Sequence, residues 1–356
     1  MKICLVTGGT GGHIYPALAL ADKWKSLDPS IDILFIGNDN RMEADLIPSY
    51  GYQFASLHTS GLVGNVFSKM KAIGQMFLAY NKAKSYLKEF KPDMVMGFGG
   101  YVSAPVLMAA HSLSIPVAMH EQNSIVGKAN QLVMKKANVI FTCYEKCNEV
   151  FPKEKIHLYG NPRATVACEA KFDEAYFQSL GLDLNKKTIL IMMGSLGSSS
   201  INKLMKDSLK GNFDRLQFLY VCGKNNEDDM SQLESENIHV VNYVDTLRIY
   251  SHVDGMICRA GATTIAELTA LGIPSILIPS PYVAENHQYY NAKELVDQRA
   301  AYMIEEKDLD AKHLNQAIQD LFGNEEEMKL VKQAALSLGK PKAAYDIISL
   351  CQHMFE

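Results

Sequence analysis

Short apolar runs alternate with longer stretches whose apolar residues recur at helical spacing through most of the chain, which is the pattern of parallel α/β architecture. In the first half the runs that read as strands are Lys2–Thr7, Ile31–Ile36, Gln53–Leu57, Met94–Gly97, Val117–His120, Val139–Thr142 and His157–Tyr159. In the second half they are Thr188–Met193, Gln217–Cys222, His239–Val241, Gly255–Cys258 and Ser275–Ile278. Beyond Asp310 the pattern is helical only. The turn Gly160-Asn161-Pro162 interrupts the alternation and places a boundary between a domain of residues 1–162 and one of residues 163–356, the last helix being a candidate to pack back across it. Ligands of such sheets sit beyond the carboxyl ends of the strands, so chemistry is to be sought in the loops there.

A chain of 356 residues, 47% hydrophobic and 21% charged, is long enough for two globular domains with full cores. A formal net charge of −4 gives no reason to look for nucleic acid. The seven cysteines are odd in number, scattered and mostly set in apolar runs, the usage of a reducing compartment. Cys143 and Cys147 form a C-x-x-x-C pair with no second pair and no nearby histidine, which argues against zinc. The N-terminus does not read as a secretory leader and no apolar stretch reaches membrane-spanning length, so the protein is expected neither to be secreted nor to span a membrane.

The run Thr7-Gly8-Gly9-Thr10-Gly11-Gly12-His13 follows the first strand and opens a helical pattern. Its glycines let the backbone fold tightly and bring N–H groups to a helix N-terminus, where the dipole favours a phosphate or diphosphate. The dinucleotide fingerprint G-x-G-x-x-G fails at Ile14, where a third glycine is needed, so a nicotinamide enzyme is the lesser reading. Pro16 is expected within the first helical turn, which sets the helix start near His13. A similar junction, Ile189-Leu190-Ile191-Met192-Met193-Gly194-Ser195-Leu196-Gly197-Ser198, opens the second half. The plain alternative for either loop is a strand-to-helix turn with glycine for packing.

Four more loops fall at strand ends. In Arg259-Ala260-Gly261-Ala262-Thr263-Thr264-Ile265-Ala266-Glu267, the N–H groups of Ala262 to Thr264 can meet phosphate and Glu267 can accept from a vicinal diol such as ribose; the alternative is a capping box from Thr264 to Glu267. In Glu285–Asn291, the amides of Gln288 and Asn291 suit sugar hydroxyls, unless the segment is only a solvated helix start. Gly97-Phe98-Gly99-Gly100-Tyr101-Val102-Ser103 is a further glycine turn, with Ser103 a candidate N-cap. His120-Glu121-Gln122-Asn123 ends a strand in polar side chains. The acidic pair Asp308-Leu309-Asp310 reads as a helix cap rather than a cation site, and no protein-bound metal is expected.

From Leu46 to Lys88 there is no Asp or Glu, while Lys69, Lys71, Lys82, Lys84 and Lys88 are interleaved with Phe67, Met70, Ile73, Met76, Phe77, Leu78 and Tyr80. A helix here is expected to be basic on one side and apolar on the other, as in a segment lying on an anionic membrane. An ordinary core helix with a lysine-rich solvent face is the alternative.

Taken together, Gly8-Gly9-Thr10-Gly11-Gly12-His13, Arg41-Met42-Glu43-Ala44-Asp45-Leu46, Gly99–Ser103, His120–Asn123, Gly160-Asn161-Pro162, Cys258–Ala262 and Gln288-Tyr289-Tyr290-Asn291 resemble the MurG-type N-acetylglucosaminyltransferases of bacterial cell-wall synthesis. The resemblance implies a GT-B architecture: α/β, two Rossmann-like domains with parallel sheets facing an interdomain cleft. It implies inverting transfer of N-acetylglucosamine from UDP-N-acetylglucosamine to the 4-hydroxyl of undecaprenyl-pyrophosphoryl-N-acetylmuramyl-pentapeptide, with no cofactor and no metal. Helix N-termini and basic side chains stabilise the leaving diphosphate instead.

By the same resemblance the donor contacts are Thr10, Gly11, Gly12, Asn123, Arg163, Ser195, Val244 at the uracil, Arg259, Ala262, Thr263, Thr264, Ile265, Ala266, Glu267, Gln288 and Asn291. The acceptor contacts are Gly9, His13, Gly99, Gly100, Tyr101 and Ser103. His13 is the candidate base, since the ordinary pKa of histidine lies near working pH; its rival role is a phosphate ligand. Phe67, Lys69, Met70, Lys71, Ile73, Phe77, Lys82 and Lys84 are the candidate membrane contacts. The implied place is the cytoplasmic face of the bacterial plasma membrane, held peripherally, with other cell-wall synthesis proteins as candidate partners.

The chain departs from the family pattern in three places. Met193-Gly194-Ser195-Leu196-Gly197 stands for a usual glycine pair and glutamine, Arg163 comes one residue early, and His287 replaces a usual glutamine. Two further functions remain open on the residues: a UDP-N-acetylglucosamine epimerase or hydrolase of the same architecture, and a non-catalytic membrane-docked subunit that binds nucleotide sugar.

Overall fold

The computed structural model describes residues 1–61, 65–194, 201–202, 204–205, 209, 215–223 and 230–355, with the backbone alone at Lys69. Two compact units emerge, one of Met1–Thr165 with Lys342–Glu356 and one of Val166–Pro341. In the first, β1 (Lys2–Val6), β2 (Asp32–Asn38), β3 (Gln53–Leu57), β4 (Met94–Gly97), β5 (Val117–Glu121), β6 (Val139–Thr142) and β7 (Ile156–His157) make a seven-stranded parallel sheet. Its order is β3-β2-β1-β4-β5-β6-β7.

Successive residues of a strand point to opposite faces, and the sheet is therefore cored on both sides. On one face Ile3 and Leu5 pack with Leu18 and Trp24 of α1 (Gly11–Leu27). After β2 the short α2 (Met42–Ser49) leads back to the sheet edge. On the other face Cys4 and Val6 pack with Ala79, Ala83 and Leu87 of α3 (Val66–Phe90) and with Val106 and Leu107 of α4 (Ser103–Ser112). The short α5 (Lys128–Val133) follows β5. The helix α6 (Pro162–Glu169) carries the chain from one unit into the other.

Against the spans expected from sequence, residues 163–165 and, with the last helix that was the candidate to pack back, residues 342–356 group with the first unit. The terminal helix Ala343–Phe355 buries Ala344, Ile347, Ile348 and Cys351 against the α1 side of the first sheet. Thr165 Oγ1 accepts from the Ala344 N–H at 3.0 Å. Thr165 and everything from Lys342 therefore belong to the first unit. The start of α1 is also earlier than expected: Thr10 is the N-cap, so Pro16 is the sixth helical residue. There it forfeits the hydrogen bond its missing N–H denies the Gly12 carbonyl.

In the second unit α7 (Glu174–Ser179) precedes a parallel sheet of β8 (Lys187–Met192), β9 (Leu216–Val221), β10 (Ile238–Val241), β11 (Gly255–Cys258), β12 (Ser275–Leu277) and β13 (Tyr302–Met303). The order is β10-β9-β8-β11-β12-β13. Then α8 (Ala262–Leu271) follows β11 and α9 (His287–Val296) follows β12, while α10 (Ala311–Leu321) and α11 (Glu325–Leu338) cover the sheet. The Asp310 carboxylate caps α10, accepting from the His313 N–H at 2.8 Å.

Each sheet reverses its winding direction once, between β1 and β4 in the first and between β8 and β11 in the second. Crevices at such switch points, outside the strand ends, are where doubly wound sheets bind ligands. All four glycine-containing loops singled out in the sequence leave these four strands.

Candidate active site

In the first unit the β1 loop is held from below by Glu43. This carboxylate is fully buried, accepting from the Gly9 N–H and the Asn38 N–H, both at 3.1 Å. The Gly9 amide is thus already paired with a carboxylate, and the N–H groups left for an anion are those of the first turn of α1, at Gly11 and Gly12, which no helix pairs internally. Glu43 was visible in the sequence only as part of a motif; its role as the brace of the loop was not.

His13 lies in that same turn, half-buried, with Nδ1 at 3.2 Å from the Gly8 carbonyl oxygen and 3.4 Å from Thr10 Oγ1. A neutral ring that donates from Nδ1–H to a carbonyl carries its basic lone pair on Nε2. The β4 loop closes over this ring. At Gly99 (φ +100°) a Cβ would lie 2.8 Å from His13 Cδ2, and at Gly100 (φ +81°) it would run into the Gly8 carbonyl oxygen. Gly100→Ala is accordingly expected to cost about 1–3 kcal/mol in strain and overpacking. A urea midpoint equal to that of the parent protein would show that the two loops do not touch as described.

Ser103 is not the N-cap of α4. Val102 holds that place, and the fully buried Ser103 hydroxyl donates to the Gly99 carbonyl at 2.6 Å, which fixes the glycine turn from within. Tyr101 beside it is 47% exposed and so can meet a ligand. His120 and Glu121 end β5 in full burial. The His120 ring stacks on Phe98, and its Nε2–H donates to the Gly160 carbonyl at 3.0 Å. Burial lowers its pKa to about 4, so it is uncharged at neutral pH. Burial raises the Glu121 carboxyl, against the opposing pull of N–H donors from Gly127, Asn123 and Asn130. Asn123 is held at both ends, its N–H on Glu121 and its carbonyl taking the Cys147 thiol at 3.4 Å. Arg163 donates its N–H to Asn161 Oδ1 and lays its guanidinium 5.9 Å from the centre of the Tyr15 ring.

In the second unit a cavity of about 370 Å³ opens at the switch point between β8 and β11. Met193, Gly194, Arg259, Gly261, Thr264 and Gln288 are among its lining residues. Gly261 is the N-cap of α8, so the bare N–H groups of Ala262, Thr263 and Thr264 open beside this cavity. The capping-box alternative is not realised, because Glu267 lies in the second turn and its Oε2 accepts from the buried Tyr250 phenol at 2.8 Å. Arg259 pairs with Glu306 at 2.7 Å and donates to the Ile278 carbonyl at 3.2 Å, both partners lying at the far ends of other segments. Gln288 accepts from the Ser280 N–H at 2.9 Å.

Asn291 is placed differently from the sequence expectation. It is fully buried with its amide on the Ala260 carbonyl at 3.4 Å, beneath the Arg259 turn rather than on a sugar-facing surface. Val244 is buried after β10, and Ile265 and Ala266 continue α8. Ser195 and Leu196 lie outside the described residues. Thr10, Gly11, Gly12, Asn123 and Arg163 belong to the first unit and the remaining described donor candidates to the second. Tyr250, Ser280 and Glu306 had no signal in the sequence, since each acts by contacting a residue remote in the chain.

On α3 the expected division into a basic and an apolar side is not what forms. Small residues, Ala72, Ala79 and Ala83, turn inward with Leu87. Phe67 (82% exposed), Met70, Ile73, Phe77 and Leu78 point away from the core, in company with exposed Lys71 and Lys82. Lys84 is half-buried over the Tyr80 ring. Exposed apolar residues grouped in this way make α3 a candidate interaction face. Among the described residues no helix is long and apolar enough to cross a membrane.

Residues 3–142 match the glycosyltransferase family 28 N-terminal domain, and residues 188–349 match the C-terminal domain of the same family. A Bacillus pumilus protein named UDP-N-acetylglucosamine--N-acetylmuramyl-(pentapeptide) pyrophosphoryl-undecaprenol N-acetylglucosamine transferase is 40% identical over 354 residues, 97% of this chain and 96% of its own. A Bacillus subtilis protein of the same name is 38% identical, covering 99% of both chains. The crystal structure of Acinetobacter baumannii MurG superposes with a TM-score of 0.80 at 27% identity over 99% of each chain. A UDP-GlcNAc 2-epimerase from Neisseria meningitidis shares the fold at a TM-score of 0.68 and 15% identity, over 99% of this chain and 100% of its own.

Proposed function

We infer that this chain, which belongs to glycosyltransferase family 28, carries N-acetylglucosamine from UDP-N-acetylglucosamine to the N-acetylmuramyl-pentapeptide of a pyrophosphoryl-undecaprenol lipid. The reading is carried by full-length likeness to transferases of that activity, falling on a chain whose second sheet opens a cavity beside a bare helix N-terminus at its switch point.

The 4-hydroxyl of the acceptor sugar attacks the anomeric carbon of the donor. As that bond forms, the bond from the same carbon to the diphosphate oxygen breaks, the configuration inverts, and UDP departs. The hydroxyl proton passes to His13 Nε2, the basic nitrogen left by the Nδ1 contact with Gly8. The diphosphate of the donor lies at the N–H groups of Ala262 to Thr264, where the helix dipole meets its growing charge. The first turn of α1 and the Gly99-Gly100 turn take the acceptor diphosphate, with Tyr101 beside them. The outward apolar face of α3 rests on the anionic cytoplasmic surface of the plasma membrane, where a lipid-linked acceptor is met.

Labelled UDP-N-acetylglucosamine and a short-chain lipid acceptor test the reaction directly. The expected result is labelled disaccharide lipid with an equal amount of UDP. Free sugar or an epimer formed without acceptor would overturn it. For the donor, Glu267→Ala is expected to weaken UDP binding by about 1.5–3 kcal/mol, the worth of hydrogen bonds to a charged group. Equal affinities of parent and variant by titration calorimetry would remove Glu267 from the ribose.

A further inference from the structure

Tyr250 plays no part in the reaction just described, yet it is among the most constrained side chains of the second unit. It starts the short turn Tyr250–His252, is 3% exposed, and places its phenol 2.8 Å from Glu267 Oε2. Burial, reinforced by the Glu267 charge, pushes this phenol well above its ordinary range, so it remains a protonated donor at any working pH. The direction of the bond is therefore fixed: Tyr250 donates and Glu267 accepts.

The segment that leads into Tyr250 is itself pinned. The Asp245 N–H donates to the Tyr176 hydroxyl at 2.9 Å, and the Arg248 guanidinium stacks 3.9 Å from the centre of the Tyr176 ring. Arg248 also pairs with Asp173 at 2.6 Å, and its carbonyl accepts from the Asp173 N–H at 2.9 Å. Val244, expected at the base of the nucleotide, immediately precedes these residues. A carboxylate rotates easily about its last bond and offers about four acceptor sites, so a donor locked onto one oxygen sets the plane in which the others lie.

We propose that Tyr250 is a positioning residue that fixes the Glu267 carboxylate in the plane needed to accept both hydroxyls of a ribose diol, and so ties ribose recognition to the segment 244–248 beside the base. The proposal rests on the reading that Glu267 takes the ribose, and the experiment separates the two. UDP and 2′,3′-dideoxy-UDP are titrated against the whole protein and its Tyr250→Phe, Arg248→Ala and Glu267→Gln variants. In the parent, UDP is expected to bind at least about tenfold more tightly than the dideoxy nucleotide, since a site built for hydroxyls rejects an analogue lacking them. Tyr250→Phe keeps the ring and is expected to reduce that ratio about tenfold, the loss of one charged hydrogen bond, with the dideoxy affinity within about twofold of the parent. Arg248→Ala, which unpins the segment at an exposed position without touching Tyr250, is expected to reduce it in the same direction by less, and tests the tie to segment 244–248 independently should Tyr250→Phe not fold.

A merely structural tyrosine would weaken both nucleotides together and leave the ratio where it was, and that result overturns the proposal while Glu267→Gln still lowers the ratio. A parent that does not discriminate, or a Glu267→Gln variant that discriminates as well as the parent, overturns the ribose reading and the proposal with it.

Discussion

His13→Ala lowers the turnover number by roughly 10²–10⁴, the range for loss of a general base, with a much smaller change in UDP affinity. The expectation follows from how the ring is held. Its Nδ1 faces the Gly8 carbonyl at 3.2 Å, which leaves Nε2 as the nitrogen proposed to take the proton, and the missing side chain of Gly99, whose Cβ would lie 2.9 Å from Nε2, keeps that side of the ring clear. The proton in question leaves the acceptor hydroxyl only as the glycosidic bond forms, so losing its receiver acts on the transition state and hardly on the donor's ground state. The acidic limb of the kcat/KM profile against pH should vanish in the variant, because the group whose protonation produces it is gone. A change confined to KM for the lipid acceptor, with kcat and the acidic limb intact, would make His13 a ligand of the acceptor phosphate instead.

The strands were legible because a fully apolar run between glycine or polar punctuation has few other places to go. The edges were not. β13 is two residues, Tyr302–Met303, half-buried, and is a strand only because Ile276 and Leu277 lie beside it. The terminal helix reads locally as an amphipathic helix, and nothing in its own residues says that Ile347 and Ile348 pack on the first sheet rather than the second. Loops at the switch points were legible as glycine turns, since backbone at φ +93° to +100°, as at Gly9 and Gly99, excludes most other residues.

What periodicity cannot reveal is a partner far along the chain. Glu43 could be read as a helix residue, but its two backbone donors come from Gly9 and Asn38 on loops that only the folded sheet brings together. Glu306 and Tyr250 are likewise found only once Arg259 and Glu267 have positions. The direction of α3 was open for a different reason: alanines and large apolar residues both count as hydrophobic, and the sequence alone does not say that close packing on α4 selects the small ones. Ala72, Ala79 and Ala83 therefore face in, while Phe67, Met70, Ile73 and Phe77, candidate membrane contacts in the sequence, face out.

That outward face sets the last expectation. Phe67, Met70, Ile73 and Phe77 are 59–82% exposed, and burying each against acyl chains stabilises docking by about 1.5–3 kcal/mol at full burial. Lys71 and Lys82 flank them and Lys84, seven residues after Phe77, lies about two turns along the same side of the helix; each charge near an anionic surface adds about 1 kcal/mol. Changing these three lysines to glutamine should weaken binding to anionic vesicles by roughly 10² at low salt, and the loss should shrink as salt rises toward the screening limit. Changing Phe67 and Phe77 to serine should weaken binding to neutral vesicles as well, with little dependence on salt. Both residues are exposed and leave Ala79, Ala83 and Leu87 in place, so the thermal midpoint of each variant should match that of the parent. Turnover of a water-soluble acceptor analogue should survive in both variants while turnover of vesicle-borne acceptor falls with binding. If both variants bind anionic vesicles as the parent does, α3 is a solvated face, and the lipid-linked acceptor is met through another surface.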